Sequence, residues 1–339
     1  MHSSTSSSDA RAWLASWGIA LLVVLMCAVA WETFWRSRGF APSVTDDAAL
    51  WVSARREVEP SNRDQIVLVG SSRTQVDIDP GAFTSATGWS KPIQLAVTMG
   101  PTFPVLENLA KESEFGGIVI AEVNPVIFFA SLRVLDEIIE RYIDRYQILT
   151  PANIIELRLS TFIQQLSTAR LPALSAPELG RAFDRGRWPR PSHYTVDRDR
   201  YQSMDFAKLP GLAERNRRIA AARVLSKVRF FEPKGLARRF AEIAVLVEAI
   251  EARGGEVIFV RLPTNGHILV NEREVVPREK YWDVFAAQSP SLTIHFEDHL
   301  ELASFIAPDG EHLDHRDAIV FSKRLGEVIQ SERSKRHDD

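Results

Sequence analysis

Residues Trp13 to Trp31 read WLASWGIALLVVLMCAVAW, a run of 19 residues without a charge. About 20 apolar residues in a helix span the core of a bilayer. Trp13, Trp17 and Trp31 stand at or near the ends of the run, where an aromatic belt lies. The run predicts a transmembrane anchor over 13–32, behind a polar tail over 1–12. A cleaved signal is the rival reading. Its apolar region would span about 7–15 residues and end in a small-residue cleavage site. Here Cys27-Ala28-Val29-Ala30 leads into Trp31 and Glu32. Cys27 itself reads as a small apolar residue of the helix. Arg11 lies on one side of the run and Arg36 and Arg38 on the other. That count mildly favours a cytoplasmic C-terminal part.

The chain as a whole has ordinary globular chemistry. Of its 339 residues, 45% are hydrophobic and 25% charged, which suits one large domain or two ordinary ones. Lys+Arg 41 against Asp+Glu 44 leaves a formal charge of -3, which argues against a nucleic-acid partner. One cysteine excludes an intramolecular disulfide and any zinc site built on several thiolates.

Residues 33–60 read as a stalk and lead-in helix. Apolar runs then recur at 65–70, 92–97, 117–123 and 256–262, with a weaker one at 292–296. Continuous apolar runs stopped by Gly or Pro are the pattern of strands buried on both faces. Amphipathic helices are predicted between them, over 103–111, 236–253 and 318–329. Strands alternating with helices imply an α/β fold, a doubly wound and mostly parallel sheet with three flavodoxin-like layers, over 61–132 and 236–330. Residues 133–235 break the alternation and read as a mainly helical insertion, with helices over 135–148, 152–166 and 216–228. A flexible tail is expected over 331–339.

Two short motifs carry chemistry. Val69-Gly70-Ser71-Ser72-Arg73 ends the first core run. A serine at a strand-to-helix turn can expose its hydroxyl at the carboxyl edge of the sheet. The same motif also suits a phosphate-binding turn or a plain helix cap. Asp309-Gly310-Glu311-His312-Leu313 precedes the last helix. An Asp and a His three apart on a turn can face one site, the carboxylate fixing the imidazole tautomer. The plain alternative is a turn Asp and a capping His.

Together the motifs resemble the SGNH/GDSL hydrolase superfamily. The resemblance implies that Ser72 is the nucleophile, with Asp309 and His312 matching the closing D-x-x-H. It assigns an oxyanion hole to the N–H groups of Ser72 and Gly100 and the side chain of Asn124. Ser71 departs from the usual Asp, and Asn124 is followed by Pro125 where the family has Asp. The implied activity is that of a serine esterase or O-acyltransferase working through an acyl-Ser72 intermediate, with no metal or other cofactor. The branch it looks most like acts on cell-envelope polysaccharides beside a membrane-bound acyltransferase. That implies a single-pass protein of the cytoplasmic membrane with its catalytic domain on the outer, periplasmic side. The alternative is an inactive domain of the same fold serving as a glycan-binding or membrane-complex scaffold.

Arg73 and Arg278 are candidate substrate-binding residues, and Arg261 is a further candidate for the mouth of the site. His295, Glu297, Asp298 and His299 have metal-ligand chemistry but read as a loop. Arg215-Asn216-Arg217-Arg218 is a basic stretch that suits a solvated helix face or an anionic surface.

Overall fold

The computed structural model describes residues 7–59, 62–111, 114–131, 133–209 and 228–338. The basic stretch Arg215-Asn216-Arg217-Arg218, and nearly all of the helix expected over 216–228, lie outside the described residues. The chain divides into two compact units, Met1–Ser43 with Phe162–Ser192, and Val44–Thr161 with His193–Asp339.

The larger unit is an α/β fold. Its strands are β1 (Ile66–Val69), β2 (Ile93–Gln94), β3 (Ile118–Glu122), β4 (Tyr194–Val196), β5 (Gln202–Met204), β6 (Glu256–Arg261) and β7 (Leu292–His295). Five form one sheet in the order β2-β1-β3-β6-β7, with every pair parallel. The sheet reverses direction of growth between β1 and β3, and ligands of such sheets bind beyond the strand ends at that point.

Alternate residues of each strand feed opposite cores, as the two-residue period requires. Val67, Val69, Val119 and Phe259 face the helices Ala48–Arg56, Thr102–Lys111 and Pro233–Glu251. Ile66, Leu68, Ile120 and Ile258 face the helices Pro80–Thr87 and His315–Asp338. All eight of these strand residues are 0–1% exposed. Removal from water on both faces explains why the runs lack polar alternation.

Three expectations change in detail. The second run forms only two residues of strand, although Leu95 and Val97 still donate to Leu68 O and Gly70 O at 2.8 and 3.0 Å. The stretch 133–235 holds the helices Arg133–Ile148, Pro151–Leu166 and Ala176–Asp184, but also the antiparallel pair β4–β5. Arg200, left-handed at φ 66°, lies in the turn of that pair, and its guanidinium bonds Asp46 and Gln94 O. The flexible tail is replaced by helix as far as Asp338. Arg333 fastens it to Glu256 at 2.7 Å, and Arg336 donates to Pro290 O.

In the smaller unit, the helix Ser7–Ser37 contains a segment, Arg11–Ser37, long and apolar enough to cross a membrane. Beyond the apolar run, Trp35 and Phe40 pack with Leu174. Glu32 accepts hydrogen bonds from Ser167 Oγ at 2.6 Å and Thr168 N–H at 2.8 Å. Arg36 donates to Leu166 O at 2.8 Å. These contacts fold residues 162–192 onto the end of the helix.

Candidate active site

β1 ends at Val69, and after Gly70 and Ser71 the chain enters the short helix Ser72–Asp77. Ser71 caps that helix. Its own N–H donates to Glu122 at 2.6 Å and its hydroxyl to the same carboxylate at 2.9 Å. Thr74 Oγ1 adds a third donor at 2.7 Å. Glu122 is the last residue of β3 and only 2% exposed, so these donors stand in for lost water. Gly70 makes the approach possible. A Cβ there would lie 2.5 Å from Glu122 Oε2 and 2.6 Å from Glu122 Cβ, and would also meet Thr74 Oγ1. Gly70→Ala is expected to destabilise the fold by about 1–3 kcal/mol, the usual cost of overpacking. Urea unfolding checks this, and an unchanged midpoint would contradict it.

Ser71 is thus turned to Glu122, and Ser72 faces the other way. Its Oγ lies 2.9 Å from His312 Nε2, and His312 Nδ1 lies 3.0 Å from Asp309 Oδ2. Asp309 Oδ1 also accepts the His312 N–H at 2.9 Å and the Glu311 N–H at 3.1 Å. Gly310, at φ 94°, supplies the left-handed residue in this loop, where a Cβ would strike Ile268. Leu313 N–H is bonded to Asp77 Oδ1 at 2.8 Å, which ties the loop to the helix that carries Ser72. Burial holds Asp77 protonated up to about pH 8, and its Oδ2 has no partner among the described residues.

The charges in the relay have clear causes. Burial alone would raise the Asp309 pKa, but the hydrogen bond and charge of His312, with the two loop N–H groups, hold it well below the usual carboxylate range. Burial opposes the His312 imidazolium, but the Asp309 hydrogen bond and charge outweigh it and raise His312 above its ordinary value. Asp309 is therefore ionised. His312 Nδ1–H donates to it, which leaves Nε2 to accept from the Ser72 hydroxyl. Ser72 remains partly open to solvent, whereas His312 and Asp309 are buried.

The other predicted residues divide. Asn124 follows β3 and is buried, with Oδ1 accepting Val126 N–H at 3.2 Å and Nδ2 3.4 Å from Ser71 Oγ. It stands beside the Ser71–Ser72 turn. Gly100 is corrected, because its N–H donates to Val97 O at 2.6 Å. Met99, left-handed at φ 61°, closes that turn and takes the donor away from any oxyanion. A Cβ on Gly100 would lie 2.8 Å from Val97, so the glycine serves close packing.

Arg73 is buried, and its Nη2 reaches Glu272 at 2.8 Å and Glu311 at 3.3 Å. Arg261 shares Glu272, at 2.5 Å. Both arginines are thereby committed to one buried carboxylate. Glu272 is the residue the sequence reading missed here, and burial of two unexplained arginines is the only signal that could have pointed to it. A small cleft beside this cluster is lined by Pro125, Phe129, Arg261, Glu272, Trp282 and His295. Arg278 lies on its rim, held by Asp298 at 2.7 Å and Asp283 at 3.0 Å. Burial and the charges of Arg261, Arg278 and Arg273 push His295 down to about 2, so it is neutral.

His295 ends β7 and Phe296–Asp298 form a 3-10 turn, in which Asp298 pairs with Arg278 and Glu297 with Arg273. Asp205, Asp314 and His315 bring ligand-type atoms within 4.8 Å of one another. Asp314, however, accepts from Arg316 Nε at 2.7 Å and Phe206 N–H at 3.1 Å, and Lys208 pairs with Asp205 at 3.3 Å. Cationic side chains already balance these carboxylates.

No protein-family model matches the sequence, and comparison with curated proteins gives no match. Among solved structures, the chain is similar to a Bacteroides fragilis protein provisionally described as an acylhydrolase. The two are 12% identical with a TM-score of 0.39, over 85% of this chain and 99% of that one. A likeness of that size decides nothing about chemistry.

Proposed function

We propose that the larger unit is a serine-dependent ester hydrolase or O-acyltransferase of SGNH type. The observation that carries this reading is the relay Ser72 Oγ–His312 Nε2–His312 Nδ1–Asp309, with both links at or under 3.0 Å. In the proposed reaction His312 takes the Ser72 proton as Oγ attacks the acyl carbonyl. The oxyanion is met by the Ser72 N–H, which has no partner among the described residues, and by Asn124 Nδ2. His312 returns the proton to the leaving alkoxide, leaving acyl-Ser72. Water or a sugar hydroxyl, deprotonated by His312, then releases the acyl group.

The apolar N-terminal helix supports a membrane-anchored enzyme. A cell-envelope glycan as acceptor, a membrane-bound acyltransferase as partner and a periplasmic catalytic domain follow from the family resemblance and belong to the same proposal. Asn124→Ala is expected to lower kcat about 10²–10³-fold with little change in KM, the usual loss for one oxyanion donor. Steady-state kinetics on an activated ester checks it.

The diverted N–H of Gly100 favours a second reading, a glycan-binding scaffold without turnover. The full-length protein in detergent, given p-nitrophenyl acetate, separates the two. A burst followed by turnover supports the enzyme. Absence of turnover, together with absence of fluorophosphonate labelling, supports the scaffold. Labelling without turnover points to a transferase that needs its acceptor.

A further inference from the structure

The chain as a whole is weakly acidic, yet residues 162–192 carry Arg170, Arg181, Arg185, Arg187 and Arg190 against only Glu178 and Asp184. Arg185, Arg187 and Arg190 are exposed and have no acidic partner among the described residues. Two large apolar side chains stand out beside them, Phe183 at 87% and Trp188 at 67% exposure. In water, such a combination leaves apolar surface bare and positive charge uncompensated.

The position of the segment explains both features. Trp188 packs on Phe34 and Trp35, with ring centroids 6.4 and 6.1 Å apart. Arg38 lies 4.0 Å over the Phe34 ring and 5.4 Å from that of Trp188. Phe34, Trp35 and Arg38 come immediately after the apolar run. With the apolar run spanning a bilayer, Trp188 would be held where the hydrocarbon core gives way to headgroups, the level at which Trp rings settle. Arg187 and Arg190 flank it in sequence, and Arg185 is two residues further back.

We propose that residues 162–192 form an interfacial collar around the end of the membrane helix and bind anionic phospholipid headgroups. Phe183 and Trp188 enter the interface while the arginines meet lipid phosphates. The folded contacts of Glu32 and Arg36 with Ser167, Thr168 and Leu166 fix the collar to the helix. The proposal rests on the helix spanning a membrane and is independent of the chemistry at Ser72.

The test uses the full-length chain with Cys27→Ser and Phe183→Cys, labelled at 183 with an environment-sensitive dye. It is reconstituted in vesicles of phosphatidylcholine, with or without phosphatidylglycerol. The expected result is a blue shift with phosphatidylglycerol that is lost in high salt and in the Arg185→Gln, Arg187→Gln, Arg190→Gln variant. Emission independent of phosphatidylglycerol, or unmoved by the three substitutions, overturns the proposal. A chain that floats with neither vesicle overturns the membrane span, and the collar with it.

Discussion

Ser72→Ala is expected to lower ester turnover by about 10⁴–10⁶-fold without unfolding the protein. In the proposed reaction this hydroxyl forms the acyl bond, and its loss leaves only binding and oxyanion contacts. The fold should not suffer, because among the described residues the Ser72 hydroxyl bonds only His312, and Ser72 is partly open to solvent. Ser71→Ala is the contrasting variant. It removes a buried hydroxyl that donates to Glu122 and caps the helix, so its loss falls on stability. Parallel kinetics and thermal melts separate the two serines. A Ser72→Ala protein that turns over at the wild-type rate would remove Ser72 from the mechanism.

Asp309→Asn is expected to cost about 10⁴-fold in kcat. An amide cannot stabilise the imidazolium and can hold the wrong imidazole tautomer. The pH profile should change as well. The proposed reaction needs neutral His312, whose pKa Asp309 raises above its ordinary value. The rate therefore falls as pH drops through that raised value, and Asp309→Asn should move the acid limb to lower pH. The pair also links stability to pH. The raised His312 pKa contributes stability below its unfolded value, and this is lost as pH rises through the folded one. The depressed Asp309 pKa contributes stability above its unfolded value, and this is lost as pH falls through the folded one. An acid limb of kcat/KM that does not move in Asp309→Asn would show that His312 titrates without this carboxylate.

The sheet was readable because its strands are buried on both faces. Ile66–Val69 and Ile118–Glu122 have no polar alternation to confuse with a surface strand. Ser72, Asp309 and His312 were singled out by the Gly-x-Ser and Asp-x-x-His motifs, whose Gly70 and Gly310 prove to sit at a close approach and a left-handed turn. Glu122 was passed over as the end of an apolar strand. A lone carboxylate in such a run must find donors, and that was the available signal. Gly100 misled because the turn depends on a left-handed Met99, a conformation that methionine does not advertise. The pair β4–β5 has only three residues in each strand, and the side chain of Arg200 ties its turn to Asp46 and Gln94 O, so no local pattern reveals it. The terminal helix outruns its apolar stripe through ion pairs such as Arg333–Glu256, which come from tertiary structure.

The most direct measurement is to treat the full-length protein with a fluorophosphonate and map the adduct by peptide mass spectrometry. The relay predicts one adduct, on Ser72, suppressed in His312→Ala and absent in Ser72→Ala. An adduct on Ser71, or none on a folded protein, would contradict the assignment of Ser72 as the nucleophile.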